Sequence, residues 1–198
     1  FGSRAMVGLN PLAFAAPSRT EAPFIFDASM SSVAGNKIRL ARRIGAPAAG
    51  GWIADSSGTP VMEDAPVPDE FLMLPLGATR EIGSHKGYSL AVMVDILCGV
   101  LSGVGAGFTA GNNVSHHFLA YRIDAFTDLD EFKDNMDIYL RALRETPPAP
   151  GHTRVEYAGL GMGEALADRT QNGIPYHREV VEQFQTWARE HNTPTRLS

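Results

Sequence analysis

A cation and two glycines meet at Gly83-Ser84-His85-Lys86-Gly87-Tyr88, directly ahead of a nearly continuous apolar run from Tyr88 to Leu101. The free N–H groups of a first helical turn and the positive end of the helix dipole attract an anion, and flanking glycines let a ligand approach the backbone closely. Lys86 adds a full positive charge beside them. The combination points to phosphate chemistry, and the position is read as a cofactor's pyrophosphate site.

Asp27 is the second chemical position. It ends the apolar stretch Phe24-Ile25-Phe26 and precedes the small polar loop Ala28-Ser29-Met30-Ser31-Ser32. A carboxylate there can receive ribose hydroxyls, or fix the tautomer of a histidine and raise its basicity. It can equally cap the helix that follows.

Other patterns carry less. Gly103-Val104-Gly105-Ala106-Gly107 and Gly159-Leu160-Gly161-Met162-Gly163 lack the third glycine of a dinucleotide fingerprint at its required spacing, and the first follows a helix instead of joining a strand to one. His116 and His117 are neighbours, so on a strand they face opposite ways, and no further ligand stands at metal-binding spacing. No metal is expected. Ser84-His85 lacks the glycine spacing of a nucleophile elbow. Cys98, the single cysteine, reads as a small buried apolar residue.

A length of 198 residues, 44% of them hydrophobic and 20% charged, suffices for a substantial core. The net charge of −5, with no cationic stripe beyond Lys37, Arg39, Arg42 and Arg43, argues against nucleic acid. One cysteine excludes a disulfide framework and fits a reducing, cytoplasmic setting. The run from Tyr88 to Leu101 is shorter than the about 20 residues that span a bilayer, and Asp95 interrupts it, so no membrane partner is expected. The start Phe1-Gly2-Ser3-Arg4 has neither an initiator Met nor the order of a signal peptide, and it reads as a point partway into a larger protein.

The elements that must hold these residues follow from punctuation and periodicity. Leu12 to Ala16 and Phe24 to Asp27, bounded by prolines, read as strands. Ser32 to Ile44 reads as a helix ended by Gly45, its Lys and Arg residues complementing the helix dipole or holding an adenosine 2′-phosphate. Gly45 to Asp69 reads as a surface excursion with a turn at Asp55-Ser56-Ser57-Gly58. A buried helix with Ser84 as N-cap is expected to Leu101, then a strand from Phe118 to Ile123. Leu129, Phe132, Met136, Leu140 and Leu143 mark an amphipathic helix, stopped by Pro147, Pro148 and Pro150. A strand at Val155 to Ala158 and helices near Gly163 to Thr170 and Arg178 to His191 complete the reading.

The succession Gly8-Leu9-Asn10-Pro11-Leu12-Ala13-Phe14-Ala15, Phe24-Ile25-Phe26-Asp27-Ala28-Ser29, Leu74-Pro75-Leu76-Gly77 and His85-Lys86-Gly87-Tyr88 resembles the malate/L-lactate dehydrogenase family. Gly159-Leu160-Gly161 and Asn172-Gly173-Ile174-Pro175 extend the likeness over nearly the whole chain. The resemblance implies an oxidoreductase that uses NAD or NADP to interconvert a small 2-hydroxy acid and its 2-oxo acid, working as a homodimer. The implied fold class is α/β (α+β), a non-Rossmann cofactor domain with a largely antiparallel sheet flanked by helices, incomplete at the N-terminus. It implies an NAD(P)-binding domain over residues 1–146 and a C-terminal strand and helices over 147–198, packing on that domain and on the missing region. Carried over by position, Pro23, Phe24, Ile25, Phe26, Asp27, Ala28 and Ser29 correspond to a cofactor-binding strand and loop. His85 and Lys86 correspond to a second contact, and Gly159, Leu160 and Gly161 to a third. Asp27 would also support the catalytic histidine, which, with a carboxylate-binding arginine, belongs upstream of Phe1. The chain alone is therefore expected to be inactive or nearly so.

Leu9 stands where the family usually has Thr, Ala28-Ser29 replaces a Met-Ala or Met-Ser pair, and Ala78-Thr79-Arg80-Glu81-Ile82 looks inserted. Loss of a hydroxyl at Leu9 changes what a substrate pocket can discriminate. Two further readings stand beside the leading one: a cyclic-imine-2-carboxylate reductase of the same family, and a catalytically silent binding or structural domain.

Overall fold

The computed structural model describes residues 2–194, which divide into two compact units, the first formed by residues 2–15 and 25–129, the second by residues 16–24 and 130–194. The elements are strands β1 (Leu12–Ala16) and β2 (Phe24–Ala28), helix α1 (Gly35–Ile44), strands β3 (Ile53–Ala54) and β4 (Leu72–Met73), and helix α2 (Ser84–Asp95). After α2 come a π-helical turn (Ile96–Val100), a 3-10 turn (Ile123–Ala125), and helices α3 (Leu129–Arg144), α4 (Leu160–Asn172) and α5 (Arg178–Glu190). The class is thus a mixture of helices and small sheets. β1 pairs with β2, and β3 pairs with β4 antiparallel in the register Ile53 to Met73 and Ala54 to Leu72. The largely antiparallel sheet expected from the resemblance takes the form, among the described residues, of two separate two-stranded sheets.

In the first unit the core draws in residues of the segment expected to be a surface excursion. Ala48, Ile53 and Ala54 are each at most 2% exposed, and Ile53 packs with Val33 and with Ile38 of α1. A ladder explains why this stretch goes inside despite its glycines and prolines. Ala48 and Ala65 exchange backbone hydrogen bonds at 2.8 and 3.0 Å, the Gly51 N–H donates to the Val61 carbonyl at 2.8 Å, and the Leu74 N–H donates to Trp52 at 3.1 Å. The bonds satisfy backbone groups that burial would otherwise strand. α1 ends as its sequence dictates, with Gly45 left-handed at φ 68°.

α2 begins one residue earlier than expected in its capping: Gly83, at φ 100°, is the N-cap, and Ser84 is the first helical, buried residue. Its covered residues are Ser84, Gly87, Ala91 and Val94, a narrow stripe of mostly small side chains at helical spacing. The helix is therefore packed on one side only. Tyr88, Met93, Ile96, Val100 and Leu101 are exposed, and Cys98 is half-buried, so the fully inner helix read from the apolar run is corrected to a one-sided one. Asp95 interrupts the run because it accepts the Gly107 N–H at 3.1 Å, folding the glycine-rich segment back on the helix end. There the Gly105 N–H reaches the Gly99 carbonyl at 3.0 Å, and a Cβ on Gly99 would lie 2.3 Å from the Gly105 oxygen.

Two expected strands do not form. Phe118 to Ile123 runs without strand pairing into the 3-10 turn, with Phe118 89% exposed, and Val155 to Ala158 is irregular. Alternation marks a strand only where a neighbouring edge accepts its ladder, and the described residues bring none to either segment.

The second unit is organised around α3. Leu140, Tyr157 and Leu160 form its core, with Ala22, Phe24, Met136 and Leu143 packed on it. Segment 17–23 is clamped by a polar stripe of α3. The buried Asp137 carboxylate accepts the backbone N–H groups of Arg19, Thr20 and Glu21 at 2.9 to 3.1 Å and the Thr20 hydroxyl. Arg19 reaches Asp134 and Asp130, and Glu21 receives Arg141 and Arg144 at 3.1 and 3.2 Å. α4 begins at Leu160, ahead of the expected Gly163, and α5 covers nearly the expected range.

Candidate functional site

The segments that carry the sequence motifs in the first unit are joined by one hydrogen-bonded frame. The Met30 N–H donates to the Leu9 carbonyl at 2.9 Å, and the Leu76 N–H to the Met30 carbonyl at 2.9 Å. The Ser32 N–H donates to Leu74 at 2.9 Å, and the Asn10 amide nitrogen reaches the Ala91 carbonyl of α2 at 2.7 Å. The turn at Gly8 to Pro11, the loop after β2, the stretch Leu74 to Gly77 and α2 are thereby held in fixed relation.

Two glycines are required by this frame. A Cβ on Gly87 would lie 2.1 Å from the Leu76 carbonyl oxygen, so α2 approaches that stretch only through a bare backbone. Gly77, at φ 89°, is left-handed, and its Cβ would meet the Gly83 carbonyl carbon at 2.7 Å.

Beside the frame lies an open cavity of about 980 Å³. Its walls come from Arg4 to Leu9, from Met30 and Ser31, from Phe71 to Pro75, from Ala78 to Glu81, and from Ser84, His85, Tyr88 and Ala91 of α2. Most of this lining is apolar; Arg4, Arg80, Glu81, His85 and Tyr88 bring the ionisable groups. Thr79, Arg80 and Glu81 belong to the stretch that looks inserted. The Glu81 carboxyl is held below the ordinary carboxylate range by its own backbone N–H first and the Thr79 hydroxyl second. Leu9, 46% exposed, faces the cavity at the position where a hydroxyl was expected.

His85 is therefore on the cavity wall, whereas Lys86, one residue on, is exposed and not part of it. The start of α2 offers fewer open donors than the sequence suggests, because the Ser84 N–H donates to Thr79 at 2.8 Å and the Lys86 N–H to Gly83 at 2.9 Å. Asp27 is exposed near the end of β2 and lies outside the cavity wall. It does not cap α1, whose N-cap is Ala34, so the capping reading is withdrawn. Ile25 shares its exposed face, while Phe24, Phe26 and Ala28 are half-buried. The Ser29 and Ser31 hydroxyls are 2.9 Å apart, and Ser31 donates to the Val33 carbonyl at 2.7 Å.

Pro23 and Phe24 belong to the second unit, as do Gly159, Leu160 and Gly161. Gly159 is the left-handed N-cap of α4 at φ 108°, Leu160 is buried, and a Cβ on Gly161 would meet nothing within 4 Å. Arg42 pairs with Asp69 and Arg39 contacts Asn36, so part of the α1 cation cluster serves local structure. Among the described residues no three His, Cys, Asp or Glu side chains gather as a metal site, and no helix is long and apolar enough to cross a membrane. Neither Arg4 nor Arg80, both on the cavity wall, belongs to the motifs the sequence marks out.

Comparison with known proteins gives a consistent likeness. The family profile described as malate/L-lactate dehydrogenase matches residues 1–185. The malate dehydrogenase of Pyrococcus abyssi is 34% identical over 195 residues, covering 95% of this chain and 54% of that protein. The (2R)-3-sulfolactate dehydrogenase (NADP(+)) of Chromohalobacter salexigens is 36% identical over 136 residues, covering 64% of this chain and 39% of that protein. The crystal structure of malate dehydrogenase from Entamoeba histolytica superposes with a TM-score of 0.76 at 26% identity, covering 96% of this chain and 57% of that one. The chain spans about half the length of the curated relatives it matches.

Proposed function

This chain belongs to the malate/L-lactate dehydrogenase family, and from that premise we propose that it supplies the cofactor-binding part of an enzyme interconverting a small 2-hydroxy acid and its 2-oxo acid with NAD or NADP. The observation that carries the reading is the frame through Leu9, Met30, Leu76 and Ala91, which gathers the family-like motifs of the first unit beside one cavity with His85 on its wall.

The residues present fit such a cofactor. The cavity volume stands at the upper end of the about 300–1,000 Å³ typical of small-molecule sites, its lining is largely apolar, and its ionisable groups include two arginines and one histidine against one carboxylate. When bound, the nicotinamide exchanges a hydride with the substrate carbon. The chain's own part is placement. His85 and Lys86 would hold the pyrophosphate at the start of α2, and residues 23–29 and 159–161 are carried over from the family resemblance as further contact segments. Asp27 is a positioning residue that would orient the proton-transferring histidine of the complete enzyme. The domain division at residues 146 and 147, the homodimer and a cytoplasmic setting belong to the same proposal.

The deciding experiment assays the complete protein with a panel of 2-oxo acids and cyclic imines, each with NADH and with NADPH. Turnover of a 2-oxo acid is the expected result. Turnover of cyclic imines alone moves the assignment to imine reduction, and nucleotide binding without any turnover moves it to a silent domain.

A further inference from the structure

We propose that Arg80 and Arg4 form a phosphate clamp on the wall of the first unit's cavity, gripping a phosphoryl group of the dinucleotide. The proposal rests on the cofactor reading and adds to it two residues that the sequence motifs do not single out.

Both arginines line the cavity, and each stands on a docked backbone. Arg4 follows Gly2 and Ser3, which lie so close to the left-handed Gly58 that a Cβ there would be 2.8 Å from the Gly2 oxygen. Gly58 itself sits in a turn tied by Asp55, whose carboxylate accepts the Ser57 and Thr59 N–H groups at 2.9 Å. Arg80 belongs to a turn closed by the Gly83 N–H on its own carbonyl at 3.2 Å and by the Ser84 N–H on the Thr79 carbonyl at 2.8 Å. Neither guanidinium forms an ion pair among the described residues, whereas Arg19, Arg42 and Arg154 are tied to carboxylates.

The one carboxylate on the wall, Glu81, accepts from its own N–H and from Thr79 and also feels the charge of Arg80 beside it, without an ion pair forming. Two guanidinium groups and His85 thus line a largely apolar cavity that carries a single carboxylate. Guanidinium forks match phosphoryl oxygens bidentately, and an apolar surround strengthens the attraction. A cavity of about 980 Å³ is far larger than a small 2-oxo acid needs, which favours the dinucleotide as the ligand that brings the anion.

The test titrates NADH and NADPH, by nicotinamide fluorescence, into the intact protein and its Arg80→Ala, Arg4→Ala and Arg80→Lys variants, with circular dichroism to establish folding. Arg80→Ala is expected to raise the dissociation constant about ten- to a hundredfold, Arg4→Ala to raise it in the same direction, and Arg80→Lys to restore part of the loss. Equal weakening of both nucleotides assigns the clamp to the diphosphate; weakening of NADPH alone assigns it to the 2′-phosphate. Unchanged affinity in folded Arg80→Ala overturns the clamp while leaving the cofactor reading intact, and so does a rise confined to the KM of the 2-oxo acid. A wild-type protein that binds neither nucleotide overturns both.

Discussion

Asn10 donates from its side-chain amide to the backbone carbonyl of Ala91 at 2.7 Å, across 81 residues of sequence. Asn10 itself is left-handed at φ 42°, a conformation asparagine tolerates better than most residues. One side chain therefore fixes the turn ahead of β1 and the middle of α2 together. Asn10→Ala is expected to destabilise the protein by about 2 to 4 kcal/mol, combining a lost hydrogen bond with left-handed strain. Asn10→Gly removes only the bond and is expected to cost about 1 kcal/mol, with some added backbone entropy. Urea unfolding of the two variants measures the difference; equal midpoints would remove strain from the account.

Gly87 and Gly161 look alike in sequence and are expected to respond oppositely. A Cβ on Gly87 would enter the Leu76 carbonyl at 2.1 Å, and neither group is free to withdraw because the frame holds one and α2 the other. Gly87→Ala is expected to cost about 3 kcal/mol or more. Around Gly161 a Cβ meets nothing within 4 Å, so Gly161→Ala is expected to leave stability within about 1 kcal/mol of the parent. That makes it a clean probe of the proposed third cofactor contact. A fall in nucleotide affinity with an unchanged thermal midpoint supports the contact, and unchanged affinity removes it.

How much of this was legible in the sequence depended on range. β1, β2, α1, α3 and α5 are marked by local signals, prolines beside short apolar runs and apolar residues at helical spacing, and they form where expected. Phe118 to Ile123 carries the same alternation as a strand and does not pair, because pairing depends on an edge that alternation cannot reveal. Ala48, Ile53 and Ala54 lie among glycines and prolines with no periodicity, and a ladder of distant backbone partners takes them inside. At the site, His85 was legible from its glycine-flanked helix start. Arg4 was not, since only the docking of its segment against Gly58 brings it to the wall.

Asp137 predicts the acid behaviour of the second unit. Its carboxyl is held well below its ordinary value of 3.8, by the Thr20 hydroxyl first and then, against some desolvation, by the backbone N–H groups of Thr20, Glu21 and Arg19. A group whose folded pKa is depressed contributes stability that is fully present above the unfolded value and is lost as pH falls toward the folded one. Stability of the wild type is therefore expected to decline below pH 3.8 partly through this residue. Asp137→Asn keeps the shape but loses the charged acceptor. It is expected to be less stable at neutral pH, and the gap to wild type should narrow in acid. A gap that stays constant with pH, in urea midpoints measured at several pH values, would remove the charge from the account.

Lys86 is exposed beside the cavity wall, so its side chain has no packing role to lose. Lys86→Ala in the complete protein is expected to leave the thermal midpoint unchanged and to weaken nucleotide binding by about 1 to 3 kcal/mol, the worth of one charge-assisted hydrogen bond. Fluorescence titration measures it. An unchanged dissociation constant would return Lys86 to ordinary solvated surface.

Asp27 separates two chemistries that a carboxylate at this point can perform. It is exposed and does not cap α1, so its substitution by Asn should leave the fold intact. If its partner is the proton-transferring histidine, Asp27→Asn removes the charge that raises the imidazole's basicity. Turnover is then expected to fall on the order of 10²-fold with cofactor affinity nearly unchanged. The limb of the pH profile that reports the histidine should also move to lower pH, because an imidazolium without its carboxylate gives up its proton more readily. If the partner is instead a ribose, the cofactor dissociation constant rises and the pH profile keeps its position. Steady-state kinetics over a range of pH, alongside nucleotide titration of the same variant, tells the two apart.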